Sequence, residues 1–335
     1  IIGPSWIGDM VMAQSLFITL KQRNPGCEID VVSPEWSLPV LKRMPQVGRG
    51  IALPVSHGKF SLAMRYRLGH SLKNRKYTHA IVLPRSWKSA LVPYFTNVPV
   101  RTGYRGEMRY GLLNDIRRID NKVLTQTVQR YAAHAYDESE ITVSPPDVPY
   151  PELRMDKENT GRLFKELGLN LNRPIVGFMP GAEYGPAKQW PVEYYAQLAS
   201  MLVANGYQVW VFGSAKEQEL GQRIVQGAGV DMYNLCGKTG IVDVVDLISC
   251  TEQVVSNDSG LMHVAAAMDV RVTVIYGSST PDYTPPLNDT AQVLYKRLPC
   301  SPCFARTCKY GHYDCLREIT PEEVHVRVLS EIQQE

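Results

Sequence analysis

Residues 144–151 read Ser144-Pro145-Pro146-Asp147-Val148-Pro149-Tyr150-Pro151, with four prolines in eight positions. Proline fixes φ and removes a backbone donor, so such a run suits neither a helix interior nor a central strand. It suits an extended, semi-rigid linker. On both sides of it, short apolar runs alternate with segments of helical periodicity. Strands alternating with helices imply a parallel sheet with helices on both faces. At 335 residues the chain also exceeds what one core normally serves. The expectation is therefore α/β: two Rossmann-like, doubly wound parallel-sheet domains, residues 1–150 and 151–335, facing across a cleft. The final helix is a candidate to pack back on the first domain.

The first half opens on Ile1-Ile2-Gly3, which reads as the end of a β-strand with its first residues upstream, not as a signal peptide. A turn, Gly3-Pro4-Ser5-Trp6-Ile7-Gly8-Asp9, leads into a helix over residues 10–23 with Met12, Leu16 and Leu20 on one face. This opens a Rossmann-like unit without the G-x-G-x-x-G spacing of a dinucleotide site, which disfavours a nicotinamide oxidoreductase. Asp9 stands at the helix start, where a carboxylate is a routine cap. Strands are expected at 29–32, 51–55 and 79–83, and helices at 36–44, 62–75, 88–95 and 125–136. The apolar stripe of residues 62–72 reads as core-facing, with contact to a bilayer as the alternative. Residues 101–110, Arg-Thr-Gly-Tyr-Arg-Gly-Glu-Met-Arg-Tyr, are basic, aromatic and glycine-rich and read as a loop. With Arg85 and Lys88 they either hold an anionic ligand by guanidinium contacts or form a solvated basic surface.

In the second half, strands are expected at 175–179, 208–212, 253–255 and 272–276, separated by helices at 160–167, 191–204, 216–226 and 242–249. The stretch Ser256-Asn257-Asp258-Ser259-Gly260-Leu261-Met262-His263 falls at a strand-to-helix turn, on the carboxyl end of its strand. Open α/β sheets bind ligands there. The Ser259 hydroxyl is expected to cap the helix, and Gly260 lets a ligand reach exposed N–H groups, where the helix dipole favours phosphate. Asp258 and His263 would face the same crevice; the plainer alternative is a capped helix with one buried histidine. Glycine-bearing loops at 180–191, 213–217 and 277–281 would complete a nucleotide-sized site. In it Lys188 would neutralise phosphate charge and Glu217 would accept from ribose hydroxyls.

A formal charge of +3 and a pI near 8.4 are too mild to argue for nucleic acid. Local basic patches still suit an anionic substrate or membrane face. No apolar run approaches the ~20 residues of a membrane span. The seven cysteines do not suit a small disulfide scaffold, and a reducing cytoplasm is the simpler context. Four of them, Cys300, Cys303, Cys308 and Cys315, form a C-terminal run around His312 that leaves three options open: a structural metal, a disulfide pair or free thiols.

Four separated motifs, in order, resemble one family. They are Gly3-Pro4-Ser5-Trp6-Ile7-Gly8-Asp9, Arg105-Gly106-Glu107-Met108-Arg109-Tyr110-Gly111-Leu112-Leu113-Asn114-Asp115, Pro180-Gly181-Ala182-Glu183-Tyr184-Gly185-Pro186-Ala187-Lys188, and Asn257-Asp258-Ser259-Gly260-Leu261-Met262-His263. Together they resemble the ADP-heptose:lipopolysaccharide heptosyltransferases, over nearly the whole chain. The resemblance implies a GT-B, inverting, metal-independent glycosyltransferase, cytoplasmic and peripheral at the inner membrane. Its donor would be ADP-L-glycero-D-manno-heptose and its acceptor heptosyl-Kdo2-lipid A, with no cofactor and no nucleic-acid partner. It implies Asp9 as general base and Lys188 beside the donor. Gly181, Glu183, Tyr184, Gly213, Glu217, Asp258, Ser259, Gly260 and His263 would surround the donor, and Lys88, Arg101, Arg105 and Arg109 would face the acceptor. Some members carry threonines where this chain has Glu183 and Tyr184. A transferase of another inner-core step and a GT-B-like sugar-nucleotide epimerase are the alternatives.

Overall fold

The computed structural model describes residues 1–54, 60–141 and 143–332. The chain divides into two compact units, Ile1–Pro151 and Glu152–Glu335. Among the described residues no helix is long and apolar enough to cross a membrane.

The first unit begins with helix α1 (Ile7–Arg23), strand β1 (Asp30–Ser33), the short α2 (Leu38–Leu41) and β2 (Arg49–Ala52). Then come α3 (Leu62–Ser71), β3 (His79–Ile81), α4 (Leu91–Phe95), β4 (Val100–Tyr104), β5 (Asp115–Arg117) and α5 (Thr127–Ala132). All its strand pairs are parallel: β1 with β2, and β3–β4–β5. Ile2 joins the two sets, bridging Val32 on one side and Val82 on the other. The N-terminal strand thus survives as a short central element, with Ile2, Val32, Val82, Leu72, Val92 and Leu113 packed in one core cluster. The face of α1 that meets this unit is apolar, with Met10, Val11, Leu16 and Phe17 fully buried.

The sequence-based expectations need local correction here. Residues 101–104, expected in a loop, belong to β4, where Thr102, Gly103 and Tyr104 are buried with the sheet covered on both faces. The helix expected over 36–44 is a 3-10 turn followed by α2, with Pro39 in the first turn where its missing N–H costs nothing. The expected strand at 51–55 is β2, two residues earlier, and residue 55 lies outside the described residues.

The second unit runs α6 (Lys157–Leu167), β6 (Ile175–Met179), α7 (Val192–Ala204), β7 (Gln208–Val211), α8 (Gln218–Ala228) and β8 (Tyr233–Asn234). It continues α9 (Ile241–Ile248), β9 (Gln253–Asn257), α10 (Gly260–Ala267), β10 (Arg271–Ile275), β11 (Gln292–Leu294), α11 (Asp314–Arg317) and α12 (Pro321–Ile332). Its six strands are parallel, in the order β11-β10-β9-β6-β7-β8. Every residue of β6 and β9 is buried, as helices covering both faces require. The order reverses between β6 and β9, so the chain leaves these two neighbours in opposite directions. A crevice opens at the carboxyl ends of such a pair, and it is the standard ligand position of open α/β sheets. The last helix, α12, buries Val324 and Val328 in this unit's core together with Trp190 and Ile319.

Candidate functional site

The loop after β6 and the turn after β9 meet at this strand reversal. Asn257, the last residue of β9, is buried and holds both ends of the 180–190 loop. Its Nδ2 donates to the Pro180 carbonyl (2.7 Å), while its Oδ1 accepts from the Trp190 N–H (3.0 Å) and the Tyr195 hydroxyl (3.2 Å). The Trp190 indole N–H adds a bond to the Ile319 carbonyl (2.8 Å). A loop pinned this way presents Lys188 in a fixed place: its Nζ lies 2.5 Å from Asp258 Oδ2, which also accepts from the Ser279 hydroxyl at 2.5 Å. Asp258 is only 5% exposed and the Lys188 side chain 17%. The lysine charge is therefore held in a nearly dry position, balanced by one carboxylate.

His263 lies buried in the first turns of α10. Burial pushes its imidazole down to about 4; Asp258 pulls the other way and Lys188 reinforces the drop. It is neutral at neutral pH, and its Nδ1 is buried with no hydrogen-bond partner. Ser259 has the extended backbone of an N-cap, but its hydroxyl makes no capping bond, contrary to the sequence-based expectation. Ser259 therefore does not take up the N–H groups of the first turn of α10, which carry the positive end of the dipole.

Gly181 and Gly213 make room for Glu217. A Cβ on the first would stand 2.9 Å from Glu217 Cγ, and on the second 2.8 Å from Glu217 Cβ. Glu217 Oε2 accepts from the Ser214 N–H (2.8 Å) and from the Ser214 hydroxyl, so the carboxylate first serves as a helix cap. Glu183 pairs with Lys216 at the surface (2.6 Å). Tyr184 lies between two cations, 5.2 Å from Lys188 Nζ and 5.3 Å from the Arg306 guanidinium, and its hydroxyl donates to the Phe304 carbonyl (2.5 Å).

Of the residues that hold this site from outside, Ser279 belongs to the 277–281 loop expected there, whereas Phe304 and Arg306 do not stand out in the sequence. The Ala187 N–H donates to the Arg306 carbonyl (3.0 Å), and the N–H groups of Cys303 and Phe304 donate to the Ser278 carbonyl (3.0 and 2.7 Å). Gly185, at φ +149°, lies so near this segment that a Cβ would stand 2.5 Å from the Arg306 carbonyl oxygen. The cysteine run in which Phe304 and Arg306 lie is a backbone brace for the Lys188 loop. All seven cysteines are free thiols. Among the described residues no three His, Cys, Asp or Glu side chains are grouped to hold a metal ion. Burial pushes the Cys315 thiol up to about 11, whereas backbone N–H groups, that of Tyr313 foremost, draw the half-buried Cys308 thiol down.

In the first unit, Asp9 is the third residue of α1, not its N-cap; the N-cap is Trp6, whose side chain makes no capping bond. Asp9 Oδ1 accepts from the Tyr131 hydroxyl of α5 (3.1 Å). Of the four basic residues expected at the acceptor, Arg109 is a correction. It is 1% exposed, and its guanidinium donates to the carbonyls of Pro84 (2.7 Å) and Tyr104, so it shapes the 105–113 turn from within. Burial also draws its pKa below the ordinary value. Arg101 is half-buried and bonds the Leu112 and Val98 carbonyls (2.7 and 2.6 Å). Arg105 is exposed and Lys88 half-exposed.

Two parallel-sheet units, one with a lysine–aspartate pair at its strand reversal, give the α/β architecture of the GT-B glycosyltransferases. The chain belongs to glycosyltransferase family 9: the family model described as "Glycosyltransferase family 9 (heptosyltransferase)" matches residues 65–314. It is 45% identical over 331 residues to lipopolysaccharide heptosyltransferase 2 of Salmonella typhimurium, covering 97% of this chain and 95% of that one. It is 46% identical over 304 residues to lipooligosaccharide heptosyltransferase 2 of Haemophilus influenzae, covering 88% and 87%. The solved structure of E. coli ADP-heptose lps heptosyltransferase II superimposes with a TM-score of 0.87 at 42% identity, over 99% of this chain and 98% of that one.

Proposed function

We propose that this heptosyltransferase moves L-glycero-D-manno-heptose from its ADP ester to the heptose of the lipopolysaccharide inner core, with inversion and without a metal. The observation that carries this reading is the 45% identity, over 97% of the chain, to a lipopolysaccharide heptosyltransferase 2. The site chemistry supports it. A sugar hydroxyl is a weak nucleophile, so a carboxylate must take its proton as the oxygen attacks the anomeric carbon. Asp9 has that role. One of its carboxylate oxygens is fixed by Tyr131. As the C–O bond to the diphosphate breaks, the transition state gains oxocarbenium character and negative charge grows on ADP. Lys188 and the first N–H groups of α10 stabilise that charge, with Asp258 releasing the lysine towards the diphosphate. Gly181, Tyr184, Gly213, Gly260 and His263 shape the donor pocket, and Lys88 and Arg105 meet acidic groups of heptosyl-Kdo2-lipid A. A single in-line displacement needs one base and no covalent intermediate. The enzyme works at the cytoplasmic face of the inner membrane, where its lipid acceptor is anchored.

The test is ADP release from ADP-heptose with and without heptosyl-Kdo2-lipid A. Release that requires the acceptor supports transfer. Release or isomerisation of the donor without acceptor would overturn it in favour of hydrolysis or epimerisation.

A further inference from the structure

The chain as a whole carries a formal charge of +3, but residues 60–113 hold ten Lys and Arg against a single acid, Glu107. Glu107 is itself engaged, its Oε2 accepting from the Trp87 N–H (2.9 Å). The same segment exposes an unusual share of large apolar side chains: Phe60, Leu62, Tyr66, Trp87, Tyr94, Met108 and Tyr110, with Tyr66 51% and Met108 87% accessible. They are ordered relative to one another. Phe60, just before α3, meets Trp87 (ring centroids 5.0 Å), and Tyr66 of α3 meets Phe95 of α4 edge-on (5.2 Å). Both ring pairs bridge the same two stretches, α3 and residues 87–95. Gly69 lets those stretches approach until a Cβ there would stand 2.6 Å from Phe95 Cβ. Only Arg65 and Gly69 of α3 are buried, so the helix turns Leu62, Tyr66, Arg67 and His70 outward, with Lys73 following. The stripe read from sequence as core-facing is therefore partly an outer face.

We infer that this outer face of α3 and residues 87–95 docks on an anionic phospholipid bilayer, an inference that rests on the proposed use of a lipid-anchored acceptor. Charge alone would fit any polyanion. Aromatic rings and aliphatic side chains standing among cations fit the headgroup–acyl boundary, where Trp and Tyr settle and Lys and Arg stems lie along apolar surface with their charges in the headgroup layer. A rigid, pre-ordered patch of this kind binds a surface without inserting a span.

The test uses the full-length enzyme and sedimentation with phosphatidylglycerol-containing vesicles, with phosphatidylcholine vesicles as control. ADP release with a deacylated, water-soluble acceptor is measured in parallel. Wild type should partition onto the anionic vesicles and leave them at about 0.5 M salt. Each cation near such a surface is worth roughly fivefold in partitioning, so Arg67→Glu with Lys73→Glu should lose well over tenfold. Leu62→Glu should also weaken partitioning, and all these variants should turn over the soluble acceptor as wild type does. Equal binding to neutral vesicles, tighter binding to single-stranded RNA than to the vesicles, or unchanged partitioning of the variants would overturn the inference. Vesicle binding through this face by a protein that transfers no heptose would instead leave the surface standing and remove the function on which it rests.

Discussion

The two units of this enzyme handle their key charges in opposite ways. In the second, Lys188 is nearly buried, paired with Asp258, and carried on a loop pinned at Pro180, Ala187 and Trp190. In the first, Asp9 is half-exposed on the first turn of α1 and is held through the Tyr131 hydroxyl. A pre-ordered, poorly solvated cation strengthens its interaction with a diphosphate, because little reorganisation remains to be done. A carboxylate that must accept a proton and later release it is better left near water. On the roles proposed for Asp9 and Lys188, the contrast places proton removal and donor capture in separately built halves, so they should be separable by mutation.

The sharpest way to break that contrast is Asp9→Asn. Loss of the general base should lower kcat by on the order of 10³-fold while calorimetric affinity for ADP stays within about twofold. Weakened ADP binding would show that the two halves are not independent. Lys188→Met should cost kcat about 10²-fold and weaken ADP binding as well. It also strands Asp258, so a loss of unfolding free energy on the order of 3 kcal/mol, read from denaturant titration, should accompany it and be largely relieved in the Lys188→Met, Asp258→Asn double variant.

A third test is pH. His263 and His134 are buried, and burial draws both down to about 4. An unfolded chain, with histidines near 6.5, binds more protons in the interval between. Their contribution to stability is therefore complete above pH 6.5 and is lost as the pH falls towards 4. His263→Gln should flatten part of that slope in denaturant titrations between pH 4.5 and 7. An unchanged slope would show that the imidazole does not remain neutral in the fold. The smallest expected effect is that of Tyr131→Phe. Removing the hydroxyl should lower kcat about five- to tenfold and raise the acidic limb of the rate profile, since a bond to the charged form of Asp9 is gone. ADP affinity should not move.

Much of this site was legible because its chemistry lies in short, contiguous stretches. The loop 180–191 and the turn 256–263 each follow an apolar strand, and strand-to-helix turns are where α/β sheets bind. Lys188 and Asp258 stand out there, and the structure pairs them; the role expected of Asp9 comes from the family resemblance instead. The misses are tertiary in origin. Arg109 reads as a ligand-facing cation, but two backbone carbonyls across the turn capture its guanidinium. The Ser259 hydroxyl has the type and position of a cap without making the bond. Phe304 and Arg306 act mainly through their main-chain carbonyls, which no side-chain pattern betrays. The short edge strands β8 and β11, of two and three residues, carry too little periodicity to be read at all.

The bonds that fix the Lys188 loop span 120 residues from Tyr184 to Phe304 and 129 from Trp190 to Ile319. A ribosome that has delivered every strand from β6 to β10 has therefore still to deliver two of the carbonyls that hold this loop, those of Phe304 and Ile319.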